Sequence, residues 1–328
     1  MRPRVYVTQP IAESALLRLR EIAEVEVNED SSRIPVKDKL IDAAKRSDII
    51  LCLLHDTIDR EVLAANPNLT AIASMTITPD QIDVTDATTR KIIVTNIPAV
   101  VTDATADIAF GLLLAVARRI VEGDKVTRSG AFPGSQSNHL AGAAVSGKTL
   151  GIVGMGRIGQ AMARRARGFD MTILYSDPRG LPVEEEQKLG LRSVSFDELL
   201  GQSDFISLHP QLNDETRHLM GPRQFALMKR SAFLINTSRG PIIDEKALAQ
   251  ALSEGRIAGA GIDVYEHEPK IERALLTMNN VVLTPHLGSA VMELRERMAH
   301  VVVDNIAAIA EGRLPPNCIN PAVFAPGA

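Results

Sequence analysis

Leu150-Gly151-Ile152-Val153-Gly154-Met155-Gly156-Arg157-Ile158-Gly159 is the stretch that decides the fold of this chain. The apolar Leu150–Val153 run reads as a buried strand, and Gln160–Arg167 reads as a helix. Between them the glycines keep the G-x-G-x-x-G spacing of a dinucleotide turn. Gly154 permits the tight turn, Gly156 lets backbone approach a pyrophosphate, and Gly159 lets helix and strand pack closely. The helix start then presents N–H groups and the positive end of its dipole to the anion. Asp177 follows the next strand, Met171–Tyr175, near the ~20-residue spacing of an acid that binds the adenosine ribose hydroxyls. Its charge repels a 2′-phosphate, so NAD is expected over NADP. The plainer alternative is that Asp177 only opens the Asp177-Pro178 turn. Arg179 leaves room for NADP, unless it is simply a solvated loop arginine.

Downstream the rhythm continues through Phe205–Leu208, Phe233–Asn236, Gly259–Asp263 and Val281–Thr284, which predicts a parallel sheet with helices on its faces. Three chemically useful residues follow these strands: Arg239 in Asn236-Thr237-Ser238-Arg239-Gly240, Glu268 in Asp263–Pro269, and His286 in Thr284–Ser289. All three fall on the carboxyl edge that carries the glycine turn, where open parallel sheets bind ligands. Reduction of a 2-oxo acid needs such a set. Arg239 can grip a carboxylate or carbonyl oxygen. His286 can donate a proton to that oxygen, and Glu268 can hold the imidazole and favour its charged form. Singly, each has a bland reading as a structural histidine, a helix-capping arginine or a surface acid. His139, His218, His267 and His300 read as solvated, His55 as a cleft residue, and His209 as lying on the cofactor edge.

Upstream, Val5–Val7, Val25–Val27, Ile49–Leu53, Ala71–Ala73 and Ile92–Val94 read as strands. Ala12–Ile22, Val36–Lys45 and Arg60–Ala65 read as the helices between them, with no glycine-rich turn. One apolar helix is expected from about Ala104 to Val121, capped by Thr102 or Asp103. Gly123 and Ser129–Ser135 then mark a loop. A last helix, from about Ser289 to Ala310, is expected to bury Val291, Leu294, Met298, Val302, Ile306 and Ile309, and Gly312 and Pro315-Pro316 stop it. The expected architecture is α/β, with two Rossmann-like or flavodoxin-like doubly wound parallel-sheet domains and the active-site cleft between them. Residues 1–99 plus 290–328 form one domain, and 100–289 form the inserted, cofactor-binding one.

Composition narrows the function classes. The 328 residues are 45% hydrophobic and 23% charged, with a net charge of -4 and 3% aromatics, so a nucleic-acid partner is not expected. No run reaches the roughly 18 apolar residues of a membrane span. Val5–Val7 reads as a first strand rather than a signal peptide, and a reducing cytoplasm is the expected location. Cys52 sits in an apolar run and reads as core, and Cys52 and Cys318 lack metal-ligand spacing, so no metal is expected.

Taken together, Thr102–Asp107, Gly154–Gly159, Asn236–Gly240, Asp263–Pro269 and Thr284–Ser289 resemble the D-isomer-specific 2-hydroxyacid dehydrogenases, most closely the glyoxylate/hydroxypyruvate reductase branch. The likeness covers nearly the whole chain. It implies that Arg239, Glu268 and His286 form the catalytic triad. Around the cofactor it places Thr102, Gly154, Met155, Gly156, Arg157, Ile158, Gly159, Asp177, His209, Pro210, Thr216, Thr237, Ser238, Asp263 and Gly288. For the substrate it implies Leu54, Thr76, Ile77 and Thr78 beside Arg239 and His286. A homodimer built through the cofactor domains and the helix after Thr102 is also implied.

The chain departs from the family pattern at Ser74-Met75-Thr76-Ile77-Thr78-Pro79-Asp80, where relatives carry a glycine-bearing clamp for the substrate carboxylate. Here the Thr76–Thr78 N–H groups and hydroxyls are expected to take over that role. Ile77 stands where phosphite dehydrogenases of the family need lysine, and Glu268 where formate dehydrogenases carry glutamine, so neither activity is expected. His209-Pro210-Gln211 also spaces its His and Pro more tightly than the family does. The expected function is NAD-linked reduction of a short 2-oxo acid. The alternative is an NAD(H)-sensing, corepressor-like interaction protein without turnover.

Overall fold

The computed structural model describes residues 2–28, 30 and 33–324. It divides into unit 1, Met1–Val100 with Val291–Ala328, and unit 2, Val101–Ala290. Unit 1 begins β1 (Arg4–Val7), α1 (Glu13–Ile22), β2 (Glu24–Val27), α2 (Lys37–Arg46), β3 (Ile49–Cys52), α3 (Arg60–Ala64), β4 (Ala71–Ser74), α4 (Val84–Thr89) and β5 (Ile93–Thr95). Its strands pair in parallel in the order β2-β1-β3-β4-β5. β3 and β4 are buried along their whole length, which is why they read as unbroken apolar runs. Cys52 is a core residue, and burial pushes its thiol pKa up.

Unit 2 opens with α5 (Thr102–Ala117) and α6 (Ile120–Arg128). It continues β6 (Thr149–Val153), α7 (Arg157–Arg167), β7 (Thr172–Ser176), α8 (Val183–Leu189), β8 (Leu191–Ser193), α9 (Phe196–Gln202), β9 (Phe205–Leu208), α10 (Pro222–Leu227), β10 (Phe233–Asn236), α11 (Glu245–Ser253), β11 (Gly259–Ile262) and β12 (Val281–Leu283). The strands are parallel in the order β12-β11-β10-β9-β6-β7-β8. One core cluster gathers Leu208, Leu234, Leu248 and Ile262, and another gathers Leu113, Ile152, Met162 and Ile235. The chain then returns to unit 1 as α12 (Met292–Ala310), which packs on α1 and β4. No described helix is long and apolar enough to cross a membrane.

The helix expected from Ala104 to Val121 is broken. Arg119 adopts the left-handed conformation (φ 54°), which ends the hydrogen-bond ladder of α5 and starts α6. Its guanidinium meets both carboxylate oxygens of Glu122, at 2.9 and 2.7 Å. Gly123, expected in a loop, therefore lies inside α6. α5 begins earlier than expected, with Val101 in the capping position, so neither Thr102 nor Asp103 caps it through a side chain. α7 also starts early, at Arg157, because the glycine turn is itself the helix entry. α4 had no apolar period to announce it, and its start is fixed by Asp83, whose carboxylate accepts the Asp86 N–H. In α12 the buried face runs through Leu294, Met298, Val302 and Ile306, but Val291 precedes the helix and is exposed, and Ile309 is only half-buried.

Candidate active site

The register of unit 2 pairs Val153 with Ser176 and Leu208, Leu208 with Asn236, Asn236 with Ile262, and Ile262 with Leu283. The chain therefore leaves these strands at one level, and Gly154, Asp177, His209, Thr237, Asp263 and Thr284 share that carboxyl edge. Strand order reverses between β6 and β9, the crevice where such sheets bind ligands.

The glycine turn has the shape a pyrophosphate needs. Gly154 is left-handed (φ +87°), and a β-carbon there would stand 2.7 Å from the His209 carbonyl carbon and the Pro210 nitrogen. At Gly159 it would meet the Gly154 oxygen at 2.3 Å, so only glycine lets α7 approach the turn. At Gly156 it would meet nothing within 4 Å, and no side chain caps α7, so backbone faces open space at the helix start. Met155 is buried, Ile158 half-buried and Arg157 exposed.

Asp177 holds this turn as well as its own. Its Oδ2 accepts the Met155 N–H at 2.8 Å, and its Oδ1 accepts the Arg179 N–H at 2.9 Å. The turn reading is thus seen in its contacts, and each carboxylate oxygen keeps a second lone pair that a ribose hydroxyl could use. The Arg179 side chain is 85% exposed, with its Nε 3.7 Å from the Asp177 carboxylate.

On the neighbouring strand ends, His209 Nδ1 and Thr237 Oγ1 are buried with no described partner. His209 Nε2 meets Ser207 Oγ at 2.9 Å, and burial pushes the imidazole pKa down to about 4, so the ring is neutral at neutral pH. Buried polar atoms are ordinarily satisfied, so two unpartnered ones beside an open glycine cradle fit a bound dinucleotide. Other expected cofactor residues bond to carbonyls of the chain itself. Ser238 Oγ donates to the Pro210 carbonyl at 2.5 Å, and Thr216 Oγ1 donates to the Gln211 carbonyl at 2.6 Å. Thr102 is the half-buried first residue of α5.

Asp263 sets the turn that carries His286, the residue expected to exchange the proton. Its fully buried carboxylate accepts Thr284 Oγ1 at 2.6 Å and the N–H groups of Leu287 and Gly288 at 2.7 and 2.9 Å. Burial pushes its pKa up, against the pull of these bonds. Its carbonyl accepts the His286 N–H at 2.9 Å, and Thr105 Oγ1 donates to the Gly288 carbonyl. These contacts hold His286 left-handed (φ 55°), a conformation costing roughly 1–2 kcal/mol in a non-glycine residue. The imidazole Nδ1 then lies 2.9 Å from Glu268 Oε2, with both side chains mostly buried. Glu268 Oε1 accepts the Tyr265 N–H at 2.8 Å, and Tyr265 Oη donates to the Thr284 carbonyl at 2.8 Å.

Arg239 follows β10, half-buried, with its NH1 donating to the Ser238 carbonyl at 2.8 Å and its own carbonyl taking the Asn236 Nδ2 at 3.0 Å. The next residue locks this turn to the loop that carries Glu268. A β-carbon at Gly240 would stand 1.8 Å from the Tyr265 carbonyl carbon and oxygen. Gly240, Thr105, Tyr265 and Thr284 were not singled out from sequence, although Gly240 directly follows Arg239.

In unit 1, Leu54 lies half-buried past β3. The Thr76 and Thr78 hydroxyls, expected to face a substrate, donate within their own segment, to the Thr78 carbonyl at 2.7 Å and to Asp80 Oδ2 at 3.0 Å. Ser74 Oγ meets Thr76 Oγ1 at 2.6 Å, and Asn96 Nδ2 donates to the Ile77 carbonyl at 2.8 Å. The backbone N–H groups of Thr76 and Ile77 have no acceptor among the described residues. Of the histidines expected to be solvated, His139, His218 and His267 are exposed, His218 also pairing with Glu266 at 2.7 Å, while His300 is half-buried and meets Ser14 Oγ at 3.1 Å.

Comparison with known proteins decides the family. A model of the D-isomer specific 2-hydroxyacid dehydrogenase NAD-binding domain matches residues 110–288, and a glyoxylate reductase of Thermococcus litoralis is 47% identical over 324 residues, 98% of this chain and 97% of that protein. The chain belongs to the D-isomer specific 2-hydroxyacid dehydrogenases. A glyoxylate reductase of Korarchaeum cryptofilum is 48% identical, covering 98% of this chain and 96% of that protein. The crystal structure of a glyoxylate reductase from Paecilomyes thermophila superposes with a TM-score of 0.81 at 34% identity, covering 97% of this chain and 98% of the other. Residues 110–288 hold the whole glycine turn, so the edge described above belongs to this dehydrogenase's NAD-binding domain.

Proposed function

We propose that this dehydrogenase reduces the C2 carbonyl of glyoxylate, hydroxypyruvate or a similarly short 2-oxo acid with NADH, and runs the reverse oxidation of the 2-hydroxy acid. The observation that carries the reading is the His286–Glu268 hydrogen bond at 2.9 Å, on the edge that also holds the glycine turn and Arg239. When bound, NADH supplies the hydride. Gly154–Gly159 would hold its pyrophosphate, Asp177 its adenosine ribose, and His209 and Thr237 stand ready for its remaining polar atoms.

Glu268 takes Nδ1 of His286, which fixes the ring and assigns proton exchange with the substrate oxygen to Nε2. In reduction His286 gives its proton to the carbonyl oxygen, and in oxidation it takes the hydroxyl proton back. Arg239, always charged, binds the carboxylate or the developing alkoxide. Within unit 1, the Ser74 and Thr76 hydroxyls stiffen the segment that presents the Thr76 and Ile77 backbone N–H groups. A panel of short 2-oxo acids with NADH tests the proposal. Turnover of at least one is expected, and turnover of none would overturn it in favour of a non-enzymatic NAD(H) sensor.

Asp177→Ala is expected to raise the NADPH-to-NADH ratio of kcat/KM roughly tenfold or more, since it removes hydrogen bonds of a charged group to ribose and a repulsion of the 2′-phosphate. Measuring kcat/KM with each cofactor checks this, and an unchanged ratio counts against the ribose contact. We also propose a cytoplasmic homodimer. Free Cys52 and Cys318 suit a reducing compartment. α6 buries none of its residues, its own Ile120 and Val121 are exposed, and so is Phe132 after its end, apolar surface suited to a second copy. Light scattering that reports the mass of one chain would overturn the dimer.

A further inference from the structure

Burying a carboxylate is costly unless strong hydrogen bonds compensate. Glu245, the first residue of α11, is 7% exposed, and burial pushes its pKa up. It is not needed as a helix cap, because Asp244 already accepts the Ala247 N–H at 3.0 Å. Both Glu245 oxygens instead serve one distant segment. Oε1 accepts the Glu266 N–H at 2.6 Å, and Oε2 accepts the Glu272 N–H at 3.0 Å. The two anchor points bracket Glu268. From the other side the Glu245 N–H reaches Glu266 Oε2 at 3.4 Å, while Glu266 Oε1 pairs with His218 Nε2 at 2.7 Å. Within the bracketed loop, Glu268 is aimed at His286 Nδ1.

We propose that Glu245 is a positioning residue for the reaction: its carboxylate clips the backbone on both sides of Glu268 and so sets the Glu268–His286 hydrogen bond. The proposal rests on the acid–base reading of His286 and Glu268. A carboxylate can take two N–H donors at once, one on each oxygen. A carboxamide of the same shape accepts on one atom only and presents its NH2 to the other donor. Glu245→Gln therefore releases one side of the loop while leaving the packing volume unchanged.

The test is a double-mutant cycle in the full-length enzyme, measuring kcat and KM for glyoxylate, the NADH dissociation constant and the thermal midpoint. Glu245→Gln is expected to lower kcat about tenfold, the order of one charge-assisted hydrogen bond, with NADH affinity unchanged. In a Glu268→Gln background the same change is expected to alter kcat less than about twofold, because the positioned group is already gone. Equal losses in both backgrounds would show that Glu245 supports the fold generally, and would overturn the proposal while leaving the acid–base reading intact. Full activity of Glu268→Gln would overturn that reading instead. If Glu245→Gln does not fold, Glu245→Asp, which keeps two acceptors on a shorter arm, takes its place in the cycle, and the same two outcomes decide between the roles.

Discussion

Replacing His286 with alanine is expected to lower kcat for 2-oxo acid reduction by about 10²–10⁴-fold, the usual contribution of a positioned general acid. NADH affinity is expected to stay unchanged, because the glycine turn and Asp177 follow β6 and β7, whereas the 284–288 turn follows β12 at the far end of the sheet. The size of the effect follows from how firmly the ring is held. Its backbone is fixed by Asp263, and Glu268 accepts at Nδ1. Alanine removes the proton donor and leaves no other group on that turn to replace it. Alanine also sits uneasily at φ 55°, so the thermal midpoint should be measured beside the kinetics. A variant that folds, binds NADH and turns over at the parent rate would remove His286 from the chemistry.

Gly240→Ala should be nearly as damaging, without touching a reacting group. The new β-carbon would lie 1.8 Å from the Tyr265 carbonyl carbon and oxygen. These are backbone atoms that cannot rotate aside, so the Arg239 turn and the Glu268 loop must separate. The expected cost lies at or above the top of the roughly 1–3 kcal/mol usual for overpacking. Tyr265 also donates its N–H to Glu268 Oε1, so the displacement reaches the Glu268–His286 hydrogen bond directly. Steady-state kinetics and thermal unfolding check this, with a lowered midpoint and a kcat loss of about 100-fold or more expected, the worth of a misplaced catalytic geometry. Gly156→Ala is the control, since nothing lies within 4 Å of its β-carbon. That variant should keep its midpoint and lose NADH affinity.

The glycine turn was legible in the sequence because its requirements are local. A left-handed turn, an open approach and a tight helix contact each exclude side chains at a fixed spacing. The placement of Arg239, Glu268 and His286 was legible because apolar strands ending in charged or titratable residues point to one sheet edge, although β12 itself is only half-buried. The break at Arg119 was not, since apolar Ile120 and Val121 carry the pattern straight across it. α4 was missed because Val84–Thr89 offers little apolar face, leaving the Asp83 cap as its one signal. The local hydrogen bonds of the Thr76, Thr78, Thr216 and Ser238 hydroxyls depend on geometry that residue type does not encode. Glu245 was invisible for a further reason: its partners Glu266 and Glu272 come to it only after β11 has crossed back beside β10.

The most direct measurement follows the hydride itself. The purified chain is given NADH stereospecifically deuterated at the transferable position, with glyoxylate or hydroxypyruvate, and the product is examined by NMR. One deuterium at C2 of the 2-hydroxy acid for each cofactor oxidised is the expected result, lost together with turnover in the His286→Ala variant. Cofactor oxidation without label at C2, or no reaction with any short 2-oxo acid, would contradict it.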